Sequence, residues 1–262
     1  MLASRPAIFF LVVLGIGFAS VFVMLVFAFF AAIVSVKMSS IENMNVNLRT
    51  YNSKGRKFIY RFIKRMFDLI CSLFLLVCLI PVFFIISFII KLEDHGPVVY
   101  GHQRVGKYGN PITIFKFRTM REGTELSEEF LTYEQIQQYH HEFKIDHDPR
   151  VTRVGRFLRM SSLDELPQLW NVMKGEMSIV GPRPLIQEEL FSKYTCEERR
   201  RLLSVRPGMT GLWQVNGRNN CTYESGKRQK LELAYIERQG FLIDISIMIK
   251  TLSAVWKRSG AW

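Results

Sequence analysis

The sequence predicts a mainly helical α+β protein held at a membrane, on three observations. Two long apolar runs, residues 7–36 and 66–90, each exceed the ~20 apolar residues needed to cross a hydrocarbon core. Pro81 interrupts the second run near its middle. Beyond it, Val98-Val99-Tyr100 and 112–117 are short, β-branched and aromatic, with Gly106 and Gly109-Asn110-Pro111 between them, the pattern of one small β-hairpin.

Residues 7–36 carry no charge and predict an N-terminal transmembrane helix, assigned to 1–36. A cleaved signal peptide is the alternative, but its apolar region is shorter, roughly 7 to 15 residues. Arg5 alone precedes this run, whereas Lys37, Arg49, Lys54, Arg56, Lys57, Arg61, Lys64 and Arg65 follow it. Positive charge favours the cytoplasmic side, so the chain from Lys37 onward is expected in the cytoplasm. Residues 37–63 read as a basic polar linker and 64–262 as the main domain.

The run from Met66 to Ile90 has basic residues on both sides, with Lys91, Arg104, Lys107, Lys116, Arg118 and Arg121 beyond it. A simple crossing would put one basic flank outside. Pro81 lacks a backbone donor and bends helices, so a re-entrant helix over 64–91 keeps both flanks on one side. A kinked spanning helix is the alternative.

Within the hairpin, alternation is expected to put Lys116 and Arg118 on one face, a solvated edge being the plain alternative. Residues 122–148 hold many acids and read as an exposed, partly helical excursion. His140 and His141 are adjacent, so they cannot share one helix face as metal ligands. Arg150, Arg153, Arg156 and Arg159 recur every third residue and predict a basic stripe, with anionic lipid as one partner. Phe241 to Trp256 reads as an interfacial amphipathic helix, a buried core helix being the alternative.

The formal net charge of +12 implies anionic partners: lipid head groups, nucleic acid or a phosphorylated small molecule. No nucleic-acid reading motif is present, so nucleic acid is not expected. The four cysteines have no C-x-x-C spacing and predict neither a zinc site nor a disulfide framework.

The chemistry gathers between Arg159 and Pro184. Asp164 and Glu165 stand where a helix should begin, among arginines. Ser162 with Glu165 fits a capping box, but Pro167 favours a helix starting there, with both acids in the preceding turn. Gly181-Pro182-Arg183-Pro184 offers a guanidinium from a stiff backbone, suited to holding phosphate in bidentate fashion. Arg206-Pro207-Gly208 and Gly217-Arg218-Asn219-Asn220 repeat the arrangement. A carboxylate pair with several turn-borne arginines suits a diphosphate site: one acid attacks phosphorus, the other holds a hard divalent ion. The alternative is a non-catalytic basic membrane-surface scaffold or lipid-binding module in which the acids only cap a helix.

Taken together, 64–68, 96–98, 116–120, 162–168, 171–178, 181–184, 206–211 and 214–219 resemble the bacterial sugar transferases, or monotopic phosphoglycosyl transferases, over roughly 64–258. The resemblance implies that 64–262 is a sugar transferase catalytic domain on the cytoplasmic side of a bacterial inner membrane. Such a domain would move a sugar phosphate from a UDP-sugar to polyprenyl (undecaprenyl) phosphate and so begin exopolysaccharide, capsule or O-antigen assembly. It further implies Asp164 as nucleophile, Glu165 as the Mg²⁺ residue, and Lys116, Arg159, Arg183 and Arg218 as basic residues lining the site. Arg118, from the same Lys-x-Arg strand, joins them as a candidate phosphate-binding residue. Expected partners are the donor, the acceptor and anionic lipids, with a homodimer allowed. The family breaks its membrane helix at Ser-Pro, whereas here Ile80 precedes Pro81, so the bend must come from the proline alone.

Overall fold

The computed structural model describes residues 54–256, apart from 122, 125–128, 144, 146, 218–220 and 222. The expected N-terminal span, most of the linker and Arg218 therefore lie outside the described residues.

Two helices, α1 (Lys54–Cys78) and α2 (Ile80–Asp94), meet at a 60° bend. Pro81 is the second residue of α2, where it cannot donate to the turn before it and its ring crowds that turn. Leu79 N–H to Leu75 O and Phe83 N–H to Leu79 O, both 2.9 Å, keep the backbone bonded on either side. The bend therefore forms with Ile80 in place of a serine. No single helix among the described residues is long and apolar enough to cross a membrane; the bent pair reaches that length and composition only together.

One face of α1 is tied into the protein by its charges. Tyr60 and Lys64 donate to Asp244 at 2.8 and 2.7 Å, as does Tyr235 at 2.8 Å. Asp68 accepts the Ile179 N–H at 3.1 Å, and Arg65 donates to the Val172 and Met173 carbonyls. The opposite face exposes Phe58, Phe62, Met66, Ile70, Leu73 and Val77 at three- and four-residue spacing.

The hairpin forms as expected, from β1 (Val99–Val105) and β2 (Pro111–Phe117), antiparallel. Tyr100 opposes Lys116, His102 opposes Ile114 and Arg104 opposes Ile112, so these six side chains share one face. Ile112 and Ile114 pack on Val172 and Met177, while Phe117 packs with Leu158 against Ile86 and Ile90 of α2.

The rest is helical apart from one short parallel pair. In order come α3 (Tyr133–Glu142), α4 (Arg153–Ser161), a 3₁₀ turn (Leu163–Glu165), α5 (Gln168–Lys174), β3 (Ser178–Val180) and α6 (Gln187–Lys193). Then follow α7 (Cys196–Leu202), β4 (Gly208–Thr210), which pairs with β3, α8 (Leu212–Gly217), α9 (Lys227–Arg238) and α10 (Phe241–Trp256). Val180, Tyr235 and Ile247 join β3, α9 and α10 in one core cluster.

Three local expectations change, and α10 stays compatible with the amphipathic reading. Arg150 lies outside α4 and pairs with Asp148 at 2.7 Å, so the arginine repeat is not one helix face. Strand β2 ends at Phe117, so alternation does not carry Arg118 onto the face of Lys116; the Arg118 side chain is buried. Ser162 makes no capping bond: it closes α4 in the left-handed region at φ 56°, and α5 starts after Pro167. Helix α10 divides its faces, with Asp244, Ile245 and Ile247 buried and Leu242, Ile249 and Leu252 exposed.

Candidate active site

The turn bearing Asp164 and Glu165 is placed by its apolar neighbours. Leu163 and Leu166 pack against the Phe117–Leu158 cluster, which anchors the 3₁₀ turn beside the end of β2. Helix α5 is then clamped to the same strand by Asn171. Its Oδ1 accepts the Phe115 N–H at 3.0 Å and its Nδ2 donates to the Thr113 carbonyl at 2.7 Å. At its far end Arg65 and Arg206 bond the last carbonyls, a common device for ending a helix. With the register fixed, Lys116 stands over the acids: its Nζ is 2.9 Å from Glu165 Oε1 and 3.9 Å from Asp164 Oδ2. Asp164 is buried, while Glu165 and Lys116 are partly open to solvent.

Arg159 comes from the last turn of α4. Its Nε donates to Thr119 Oγ1 at 2.9 Å, and its guanidinium lies close enough to Asp164 to feel that charge. Burial holds Arg159 below the ordinary arginine range. The geometry depends on Gly155: a β-carbon there would sit 2.1 Å from the Thr119 carbonyl oxygen, so only glycine lets α4 approach this closely.

Arg183 follows β3 between two prolines. Its backbone N–H donates to Glu232 at 3.1 Å and its guanidinium lies 5.3 Å from the Trp213 ring centroid. It also feels the charge of Glu165. Burial and the nearby Arg228 lower its pKa. Lys116 thus contacts the acid pair directly, while Arg159 and Arg183 lie within electrostatic reach of Asp164 and of Glu165 respectively.

The structure adds residues that sequence reasoning passed over. His102 and Arg104 share the hairpin face of Lys116, and Arg104 Nη2 is 3.2 Å from His102 Nδ1. Guanidinium only donates, so Nδ1 accepts and the ring proton sits on Nε2. Burial, with Arg104, Lys116 and Arg183 nearby, lowers the His102 pKa to about 4 and leaves it neutral at pH 7. Beyond them is a buried group on α6, α9 and the connection before α9. Glu189 accepts from Tyr223 Oη at 2.5 Å and Arg228 Nη2 at 2.7 Å, and Arg228 stacks on Trp213 and Tyr223. Burial opposes ionisation of Glu189, but Arg183 and Arg228 outweigh it and hold the carboxyl below its usual range. The Tyr100-x-His102-x-Arg104 alternation was a readable signal for the first pair; isolated helical charges gave none for the second.

Among the described residues no three His, Cys, Asp or Glu side chains form a metal cage. Two adjacent carboxylates nevertheless fit Mg²⁺, which is commonly held by one or two carboxylates completed by substrate phosphate and water.

A model of the bacterial sugar transferase family matches residues 59–258. Undecaprenyl-phosphate galactose phosphotransferase of Salmonella typhimurium is 41% identical over 228 residues, covering 86% of this chain and 47% of that protein. UDP-galactose-lipid carrier transferase of Erwinia amylovora is also 41% identical over 228 residues, with the same coverage. Exopolysaccharide production protein ExoY of Sinorhizobium fredii is 40% identical over 202 residues, 76% of this chain and 88% of ExoY. The chain thus spans about half the length of the first two relatives and most of the third.

Proposed function

The chain belongs to the bacterial sugar transferase family, and on that premise we propose that it transfers a sugar phosphate from a UDP-sugar to polyprenyl phosphate, initiating glycan assembly. The observation that carries this reading is the pairing of a buried Asp164 with an adjacent Glu165, with Lys116 in contact with both and Arg159 and Arg183 within electrostatic reach. An Asp164 oxygen attacks the sugar-bearing phosphorus, the bond from that phosphorus to the UMP oxygen breaks, and UMP leaves with the electron pair. The resulting aspartyl phosphosugar is attacked at phosphorus by a polyprenyl phosphate oxygen. Asp164 is expelled as carboxylate, and the sugar remains on a lipid diphosphate.

Lys116, Arg118, Arg159, Arg183 and Arg218 are the cations assigned to the donor phosphates. Glu165 is assigned to Mg²⁺, which when bound neutralises phosphate charge. The Lys116 contact with Glu165 is then exchanged for substrate when the donor enters. Galactose and glucose are the candidate sugars, and galactose is the one that two of the relatives carry in their names.

The acceptor's phosphate lies at a bilayer surface, which favours a re-entrant reading of the bent α1–α2 pair. Its exposed apolar side chains would enter the cytoplasmic leaflet. Anionic lipids would meet the surplus of Lys and Arg.

The test is Asp164→Asn in membranes supplied with labelled UDP-galactose, UDP-glucose and UDP-N-acetyl sugars. Wild type should move label into the lipid phase from one donor, and the variant should lose at least about 10³-fold, the scale for removing a nucleophile. Undiminished transfer by the variant overturns the covalent route.

A further inference from the structure

Arg183 is joined to a buried charge cluster that the two transfer steps do not use. In Pro182-Arg183-Pro184 the prolines have no N–H, so the Arg183 amide is the only backbone donor of that tripeptide. It donates to Glu232 Oε2 at 3.1 Å. Glu232 lies on the second turn of α9 and is 2% exposed; its Oε1 has no hydrogen-bond partner among the described residues.

The charged and titratable groups around Glu232 are Arg228 on its own helix, Arg183 on the loop after β3, Glu189 on α6, and Tyr194 just past α6. Arg228 is already engaged by Glu189 at 2.7 Å. The approaching cations therefore do not offset burial, which raises the Glu232 carboxyl to about 7.

We infer that Glu232 is the positioning residue of Arg183: it fixes the Pro182–Pro184 loop by that amide and, through its own proton, sets how strongly Arg183 acts on an anionic donor phosphate. Protonated Glu232 still accepts the amide through its carbonyl oxygen and leaves Arg183 its full charge. Ionised Glu232 places a negative charge beside Arg183 and opposes a diphosphate. Donor use should therefore weaken as pH rises through about 7.

The inference rests on the transferase reading, and its test separates the two. In a two-step reaction through a covalent intermediate, kcat/KM for the donor reports only events up to UMP release, so titration of the lipid phosphate does not enter. For wild type, kcat/KM for the UDP-sugar should fall about three- to tenfold from pH 6 to 8, the size of a half to one pKa unit of coupling. Glu232→Gln keeps an amide acceptor without a titrating proton, so it should hold its low-pH value across the range. Glu232→Ala should be low and flat. A role in stability alone would shift Tm and leave the profile of Glu232→Gln parallel to wild type, which overturns the inference. Should Glu232→Gln not fold, Glu232→Asp replaces it. A weaker, displaced profile is then expected, and an unchanged one overturns the inference. A flat wild-type profile overturns it without any variant. Absence of UMP release from every UDP-sugar by wild type overturns the transferase reading together with this inference.

Discussion

Two groups of charges lie close together in this protein and are built differently. Around Asp164 and Glu165 the ion pairs are open: Lys116 and Glu165 keep 35% and 24% of their side-chain surface exposed. Around Glu189 the pairs are closed, with Arg228 and Glu189 at 4% and 0%, and two aromatic rings cover the guanidinium. A group that must exchange protein partners for phosphate cannot be fully enclosed by protein. A group that only holds shape can be, because breaking it is never part of the cycle. Arg183 bridges the two: its amide is bonded to Glu232, and its guanidinium feels Glu189 more strongly and Glu165 more weakly.

The sharpest way to break this contrast is Glu189→Ala. It leaves Arg228 buried without its carboxylate, a change that typically costs about 3–5 kcal/mol. A large fall in Tm of the detergent-solubilised protein is expected, with turnover per folded molecule reduced less. A Tm near that of wild type would mean that the cluster is not closed in solution.

Lys116→Ala tests the open group and should do the reverse. An exposed pair contributes about 0–1 kcal/mol to stability, so Tm should hardly move. Loss of a cation from the reacting phosphates should cost roughly 10²-fold in donor kcat/KM. If Tm and activity fall together, Lys116 is part of the scaffold.

Glu232 gives an intermediate test at the level of stability. Its folded-state pKa is raised from an ordinary 4.5 to about 7. The stability it contributes is therefore fully present below 4.5 and is lost as pH rises through about 7. At pH 8 Glu232→Gln should consequently be the more stable protein, by roughly 3 kcal/mol, with the difference gone near pH 4. Chemical unfolding at the two pH values reads this directly; a pH-independent difference would contradict it.

The open group was legible in the sequence and the closed one was not. Asp164, Glu165 and Arg183 sit in runs whose prolines and glycine announce turns, and a turn crowded with charge is unusual enough to notice. The hairpin and the break at Pro81 were legible for the same reason, since alternation and proline leave local marks. Glu189, Arg228 and Glu232 lie on ordinary helices, where a charge usually faces water, and only tertiary packing turned them inward. The same packing defeated local rules at two points. Ser162 became the left-handed end of α4 because Leu163 and Leu166 had to reach the Phe117–Leu158 cluster. Arg150 left the expected stripe because Asp148, two residues before it, was the nearer partner.

The smallest effect is expected where the two designs meet, at Thr119. Its hydroxyl accepts the Arg159 Nε–H at 2.9 Å, while its carbonyl faces Gly155 and accepts the Thr152 N–H at 3.0 Å. Thr119→Val keeps the side-chain shape and the carbonyl, so the approach of α4 should survive. It removes only the acceptor that Arg159 Nε–H bonds beside Asp164, a loss worth about 1.5–3 kcal/mol for a bond to a charged group. Were Arg159 a purely structural arginine, that loss would appear in Tm and donor kcat/KM would follow the folded fraction. As a phosphate-holding side chain, it should instead lose its aim: a roughly fivefold lower kcat/KM, with Tm within about 2 °C of wild type. Thr119→Ser, which restores the hydroxyl, should recover the rate, because the bond to Arg159 and not the methyl group orients the site.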